Sequence, residues 1–412
     1  MTTQKLPSLL GGAMIIAGTV IGAGMLANPT STAGIWFFGS ILVFVYTWFC
    51  MTTSGLMILE ANLHYPTGAN LDTIVTDLLG RGWNAINGLS VAFVLYILTY
   101  AYITSGGSIT ESFISQMGFE TNRTSGSLIF CLVLAAFVWI STKAVDRFST
   151  VLIIGMIVAF FLSTAGLLGS VKSEILLNQV AQGEQQYLPY LLSALPVCLV
   201  SFGFHGNVSS LVKYYQRDGK RVMKAIFLGT GLALVIYILW QLAIQGNLAR
   251  ADFATVIEKG GDVSALLGAL SNSIQADYVG VVLNFFAYMA IASSFLGVTL
   301  GLFDYIADLL KFDDSPIGRL KTTIITFLPP LVLSLLFPYG FVTAIGYAGL
   351  AATIWAAIVP ALLAKASRQK FPNATYRVYG GNFMVYFIIL FGVLNIVAQV
   401  AMQFDLLPMF KG

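Results

Sequence analysis

His205 is the one histidine placed deep in an apolar run, in SFGFHGN at 201–207, with Gly203 and Gly206 around it. An imidazole, with an ordinary pKa of ~6.5, suits proton carriage; the same ring can also do no more than pin loosened backbone by hydrogen bonds. Two carboxylates, Glu60 and Asp304, stand near the ends of apolar runs. A carboxylate there opposes the negative terminus of a helix and needs compensation, so it either carries a proton or latches a gate; a solvated place at the membrane edge serves Asp304 equally well. The rest of the inventory excludes much. The sequence holds no HExxH, no GxSxG and no Cys/His spacing for a metal, and His64 lies in a connection far along the chain from His205. Cys50, Cys131 and Cys198 are odd in number, lack CxxC spacing and fall in apolar runs, as small packing residues do. The expectation is a non-enzymatic protein without metal or cofactor.

The second chemical resource is backbone. GTVIGAG at 18–24 puts Gly18, Gly22 and Gly24 inside the first apolar run, with Pro29 following. In a bilayer a released amide or carbonyl must be met by protein, water or ligand, and glycine weakens a helix by ~1 kcal/mol relative to alanine. Gly18 and Gly22 also form GxxxG, a helix-packing pattern. The second glycine-flanked stretch begins at Ser201, 183 residues after Gly18, which favours a break in both runs at corresponding positions of two halves. Interruption exposes amides near Ala23 to Met25 at a positive helix end, suited to a carboxylate. It frees carbonyls near Ala17 to Val20 and around Phe202 to Phe204, suited to an ammonium or a coupling cation. A zwitterionic amino acid matches both. The rings of Phe202 and Phe204 are of the type that bounds an aromatic pocket, and packing against core or lipid serves them nearly as well.

Such residues need a scaffold inside a membrane. Of 412 residues 57% are hydrophobic and 9% charged, and mean hydropathy is +0.84, whereas soluble domains carry about a quarter charged residues. A hydrocarbon core of ~30 Å takes about 20 residues per helical crossing. Eleven apolar runs qualify, at 9–34, 36–59, 84–110, 126–141, 148–169, 188–212, 222–245, 278–309, 320–337, 341–364 and 383–404. They are continuous rather than alternating, hence helices and not barrel strands. With the N-terminus in the cytosol, sixteen of the 21 Lys and Arg fall on the cytosolic side and Arg123, Lys172, Arg250, Lys259 and Lys411 outside. That bias orients the N-terminus to the cytoplasm and the C-terminus to the exterior. The net charge of +3 follows this sidedness and is no nucleic-acid signal. The short opening segment leads into the first run without a small-residue cleavage site, which predicts a retained anchor. Five runs are followed by five in the same order, and because five is odd the second half is inverted, giving repeats of about 9–169 and 188–364 with the eleventh run outside them. Two connections repeat apolar residues at helical spacing: Leu71, Ile74, Val75, Leu78 and Leu79, and Val263, Leu266, Leu267, Leu270 and Ile274 behind Gly260 and Gly261. They are expected to be short amphipathic helices, either lids or plain covers of the bundle.

Six long stretches, AGTVIGAGM (17–25), SGLMILEANLHYP (54–66), FVLYILTYAYI (93–103), SFGFHGNVSSL (201–211), ASSFLGVTLGLFDYIADL (292–309) and GYAGLAATIWAAIVPALLA (346–364), resemble the hydroxy and aromatic amino acid permeases of bacteria. These belong to the amino acid transporter superfamily with the LeuT-type fold. The resemblance covers essentially the whole chain. WFCM (48–51), LTYAYI (98–103) and WISTKAVDR (139–147) look more like the tryptophan-specific branch, while GAGMLANP (22–29) leans toward the tyrosine branch.

The resemblance implies an all-α integral membrane protein of about eleven transmembrane helices. Its transporter core, residues 1–382, is a 5+5 inverted repeat with helices 1 and 6 discontinuous; residues 383–412 add a C-terminal helix and an exterior tail, and there is no soluble domain. It implies import of an aromatic amino acid, tryptophan first, by proton symport across the bacterial inner membrane. Alternating access would rock spans one, two, six and seven around a site between spans one, three, six and eight. The partners implied are the bilayer and a small-molecule substrate, with neither nucleic acid nor an obligate protein. On this pattern Thr19, Gly22, Ala23 and Gly24 hold the charged end of the substrate, and Phe202, Gly203, Phe204 and His205 form the facing wall. Tyr96 and Tyr100, one turn apart on span three, orient the ligand or simply pack. Glu60, His205 and Asp304 are the candidates for proton coupling or gating. Ser293 and Ser294 occupy the stretch that supplies cation-ligating hydroxyls in sodium-coupled relatives of the fold, so Na+ stands as the alternative to H+. A channel would call for a continuous pore with charged rings or carbonyl filters, whereas two dissimilar breaks fit one closed site.

Overall fold

The computed structural model describes residues 7–181, 183–274 and 277–412; the first six residues, with the Lys5 that the charge count gives to the cytosolic side, lie outside the described residues. Among the described residues there is no strand, and eighteen α-helices follow one another. They are α1 (Leu9–Val20), α2 (Ala23–Ser31), α3 (Trp36–Asn62), α4 (Leu71–Leu79), α5 (Arg81–Gln116), α6 (Arg123–Ile140), α7 (Thr142–Gly169), α8 (Ser173–Leu176), α9 (Leu191–Ser201), α10 (Val208–Tyr214), α11 (Gly219–Gln245), α12 (Phe253–Glu258), α13 (Val263–Ser273), α14 (Asp277–Leu310), α15 (Pro316–Leu336), α16 (Phe341–Thr353), α17 (Val359–Lys370) and α18 (Gly381–Gln403). Among the described residues ten helical stretches can cross a membrane by length and composition, and α1 with α2, bent by 53° at their junction, makes up to eleven. The protein is a multi-pass membrane protein. α5 outruns the apolar run 84–110 because its polar ends stay helical beyond the segment that hydropathy marks.

Both amphipathic connections are helical. α4 starts where Asn70 Oδ1 accepts the Thr73 N–H at 2.9 Å and stops at Gly80, whose φ of +87° lies outside helical space. Its Ile74 and Val75 pack on Ala61, Val359 and Leu363. α13 buries Val263, Leu266, Leu267 and Leu270. Its entry is fixed by Asp262, which is buried, pairs with Arg123 of α6 at 2.9 Å and accepts the hydroxyls of Ser108 and Ser264.

Two faces of the bundle differ in charge. On the basic face the ends of α3, α10 and α17 meet: Arg217 donates to the Leu63 carbonyl, and Lys370 pairs with Asp77 of α4 at 2.7 Å. On the opposite face Arg250 is buried, donates to the carbonyls of Ala33 and Gly34, and lies 4.2 Å from the ring centroid of Phe410. Helices approach closely where side chains are absent. A Cβ on Gly229 of α11 would stand 2.5 Å from the Ala13 carbonyl of α1.

Candidate substrate site

The two glycine-bearing stretches meet in the middle of the bundle. α1 ends at Val20, Ile21 and Gly22 are extended, and α2 resumes at Ala23. α9 ends at Ser201; Phe202 to Phe204 are non-helical, His205–Asn207 forms one 3-10 turn, and α10 begins at Val208. Tyr237 of α11 joins the two interruptions. Its hydroxyl, fully buried, lies 2.7 Å from the Val20 carbonyl and 2.5 Å from that of Ser201, the last residues of α1 and α9.

The freed backbone groups are fewer than the sequence alone implied. The Ala17 carbonyl accepts the Ile21 N–H and the Val20 carbonyl accepts Tyr237, which leaves those of Gly18 and Thr19, whose helical donors would lie at Gly22 and Ala23. Of the first amides of α2, Ala23 donates to Ser294 Oγ of α14 at 3.0 Å and Met25 to the Gly22 carbonyl at 3.1 Å. Gly24, second in α2, has no intrahelical acceptor for its N–H. The positive end of a nine-residue helix therefore points its remaining donor capacity at the break.

A cavity of about 490 Å³ opens here, a size suited to a small molecule. Thr19, Gly22, Ala23, Gly24, Gly203, Phe204, His205, Ser293 and Ser294 all line it. No Asp, Glu, Lys or Arg does so among the described residues, so a ligand's charges can meet only helix ends, carbonyls, hydroxyls and the imidazole. Its exposed lining residues, Gly18, Thr19, Gly206 and Gly297, lie on the basic-face side of the breaks. A Cβ at Gly18, Gly206 or Gly297 would meet nothing within 4 Å, so part of the space is what their missing side chains leave. Toward the opposite face the seam is closed: Ser201 Oγ lies 2.8 Å from Asn28 Oδ1, and a Cβ on Gly24 would be 3.3 Å from Ser201 Cα. Beyond that seam lies a second cavity of about 440 Å³, bounded by Thr30, Tyr190, Gln399 and Phe410.

Aromatic rings make one wall. Phe204 is seated where Gly55 of α3 lacks a side chain, and His205 lies between Phe204 and Trp355, with ring centroids 4.7 Å and 5.9 Å away. His205 Nε2 is 2.7 Å from Ser54 Oγ, and its Nδ1 has no partner among the described residues. Trp355 belongs to a π-helical turn, Ile354–Ile358, that links α16 to α17.

Several expected site residues face elsewhere. Phe202 is buried against Tyr237, centroids 4.9 Å apart, and does not line the cavity. Tyr96 donates to the Ile325 carbonyl at 3.0 Å and Tyr100 to that of Phe337 at 2.8 Å; both turn toward α15 and its end. The cavity face of α5 is instead Val94, Leu95, Leu98 and Tyr102. Glu60 is a latch. It is buried, takes both arms of Arg368 from α17 at 2.6 and 2.9 Å, and accepts the Val378 N–H at 2.7 Å. Asp304 is exposed and away from the cavity. Ser294 Oγ already accepts the Ala23 amide, and Ser293 Oγ donates to Ala290. Tyr102, Trp355, Asn207 and Tyr237 were not singled out by the sequence; Asn207 Nδ2 donates to Thr19 Oγ1 and so ties the two broken segments on the basic side.

A bundle of membrane-crossing helices folded around a central uncharged, aromatic-walled cavity is the build of a membrane transport protein. The chain belongs to the tryptophan/tyrosine permease family, whose model matches residues 5–399. It is 76% identical over 418 residues to the tryptophan-specific transport protein of Haemophilus influenzae, covering 100% of both chains. It is 52% identical to the tryptophan-specific transport protein of Shigella flexneri, over 100% of this chain and 99% of that one. The tyrosine permease of Enterobacter agglomerans is 43% identical, with 98% of each chain covered. The protein is thus a transporter rather than an enzyme.

Proposed function

We propose that the protein imports an aromatic amino acid, tryptophan first, by proton symport with alternating access across the bacterial inner membrane. The observation that carries this reading is the pair of facing interruptions, at 21–22 and 202–204, around one cavity that reaches a single face. In this reading they are the discontinuous helices 1 and 6 of a LeuT-type 5+5 inverted repeat, and α18 is the added eleventh span. The basic face is cytoplasmic by the positive-inside bias, with the N-terminus on that side and the C-terminus periplasmic. The cavity then opens inward and the Ser201–Asn28 seam is the closed outer path.

The substrate carboxylate is assigned to the start of α2 at Gly24, its ammonium to the Gly18 and Thr19 carbonyls, and its ring to the wall of Tyr102, Phe204, His205 and Trp355. The names of the 76% and 52% identical relatives support tryptophan. Of the three proton candidates only His205 lines the cavity. Sodium coupling is the second reading, favoured by Ser293 and Ser294 beside the break. Uptake of labelled tryptophan into proteoliposomes tests both: accumulation should follow an inward proton gradient. Accumulation driven by a sodium gradient alone would overturn the proton assignment, and no uptake under either gradient would overturn import.

A further inference from the structure

A groove of about 540 Å³ lies on the flank of the bundle at the basic face, where α3 and α11 meet the connection 371–380 between α17 and α18. Leu56 of α3, Phe227 and Leu228 of α11 and Tyr379 of the connection line it, and the last three are each more than half exposed. Two cations line it as well, Lys224 and Arg377, both exposed. Neither pairs with a carboxylate among the described residues, and no Asp or Glu among them lines the groove. Arg377 gives one N–H to the Pro372 carbonyl, and a guanidinium has five, so most of its donors remain for a ligand. Lys224 stands near the start of α11, with Phe227 and Leu228 three and four residues on. That spacing puts all three on one side of the helix, the apolar pair about 5 Å further along it. The groove is thus graded, charged toward the basic face and apolar further in.

We propose that this groove seats one anionic phospholipid, with its phosphate at Lys224 and Arg377 and an acyl chain along Phe227 and Leu228. A soluble anion has no use for the apolar end, and plain contact with lipid tails has no use for two unpaired cations at the rim. A zwitterionic lipid offers the same phosphate but brings an ammonium toward both cations, so the charge of the groove selects an anionic headgroup. Tyr379 forms a wall of the seat at the level where tyrosines gather in membranes, and its hydroxyl, 2.6 Å from Thr53 Oγ1, ties the connection to α3. The seat shares no lining residue with the substrate cavity. It goes beyond the import reading and depends on neither the substrate nor the coupling ion.

Native mass spectrometry of the purified full-length protein in detergent, titrated with palmitoyl-oleoyl phosphatidylglycerol or with the phosphatidylcholine of the same chains, counts the lipid bound. The wild type should take up its first phosphatidylglycerol more tightly than phosphatidylcholine. Lys224→Gln combined with Arg377→Gln should weaken that first binding about 30-fold and leave phosphatidylcholine binding unchanged. Lys143→Gln combined with Arg147→Gln, which removes two exposed cations of α7, should leave both unchanged. Equal affinity of the wild type for the two lipids overturns the proposal, and this comparison stands apart from any effect of the variants on folding. An undiminished preference in the Lys224 and Arg377 double variant, or an equal loss in the α7 pair, overturns it as well. Displacement of the lipid by millimolar inorganic phosphate would reveal an anion site without an acyl seat and would also refute it.

Discussion

Tyr237→Phe deletes one oxygen at the point where both interrupted helices end. The one hydroxyl hydrogen is shared between the carbonyls of Val20 and Ser201, and neither carbonyl regains a helical donor, because the chain leaves the helix directly after each. A phenyl ring keeps the packing on Phe202 and Phe44, so the effect falls on the polar loss. A buried acceptor left unsatisfied costs about 1–3 kcal/mol. The variant should lose about that much stability in equilibrium unfolding in detergent, through a lower midpoint at unchanged slope. Tryptophan binding measured by calorimetry should weaken as well, because the proposed site is made of the chain ends this hydroxyl holds in place. The same energy allows a loss of up to roughly 5- to 150-fold in affinity. Unchanged stability together with an unchanged dissociation constant would show that these carbonyls are served otherwise and that the two breaks are not joined through α11.

Gly18→Leu should put bulk into the cavity from a position where a Cβ meets nothing within 4 Å; the protein should melt close to wild type yet lose tryptophan binding, and normal binding would misplace the site. Gly24→Val acts differently. Its side chain meets Ser201 and not the cavity, so the variant should loosen α2 from α9 and show a lower unfolding midpoint, which an unchanged midpoint would contradict. Arg368→Met strands the buried Glu60 carboxylate and should cost about 3–5 kcal/mol, whereas Glu60→Leu combined with Arg368→Met should restore part of it; a double variant as unstable as the single one would refute this account of the buried pair. Hydrogen bonds from Lys370 and Tyr65 hold the Asp77 carboxyl below its ordinary value. The stability it contributes is therefore present above the ordinary carboxylate range and lost as pH falls below it. Because the pair is half exposed, the contribution is under about 1 kcal/mol, and Asp77→Asn should remove that much at pH 7 in a denaturant titration.

Composition and run length made the spans legible, since twenty apolar residues have one cheap conformation in lipid. The breaks were legible too, because Gly22 and the Gly203–Gly206 pair place the weakest helix formers together where a bilayer punishes them. Which way a helix turns was not. In α5 the lipid side and the protein side are both apolar, so nothing in the sequence separates Tyr96 and Tyr100, which reach α15, from Tyr102, which reaches the cavity. Tyr237 was invisible for another reason: its partners are main-chain carbonyls 217 and 36 residues away, and a carbonyl has no letter in the sequence. Trp355 depends on a π-helical turn that shifts the register of everything after it. Glu60 was recognised as needing a partner, but the distant Arg368 that supplies it carries no local signal.

Three of the glycines that border the cavity, Gly18, Gly206 and Gly297, give this scaffold an adjustable bore. Each stands on a different segment and faces vacancy, so a methyl gained at any one narrows the chamber from its own direction while the surrounding bundle keeps its packing. A lineage built this way can retune the bulk of its cargo by single-codon steps, without first dismantling and rebuilding a core.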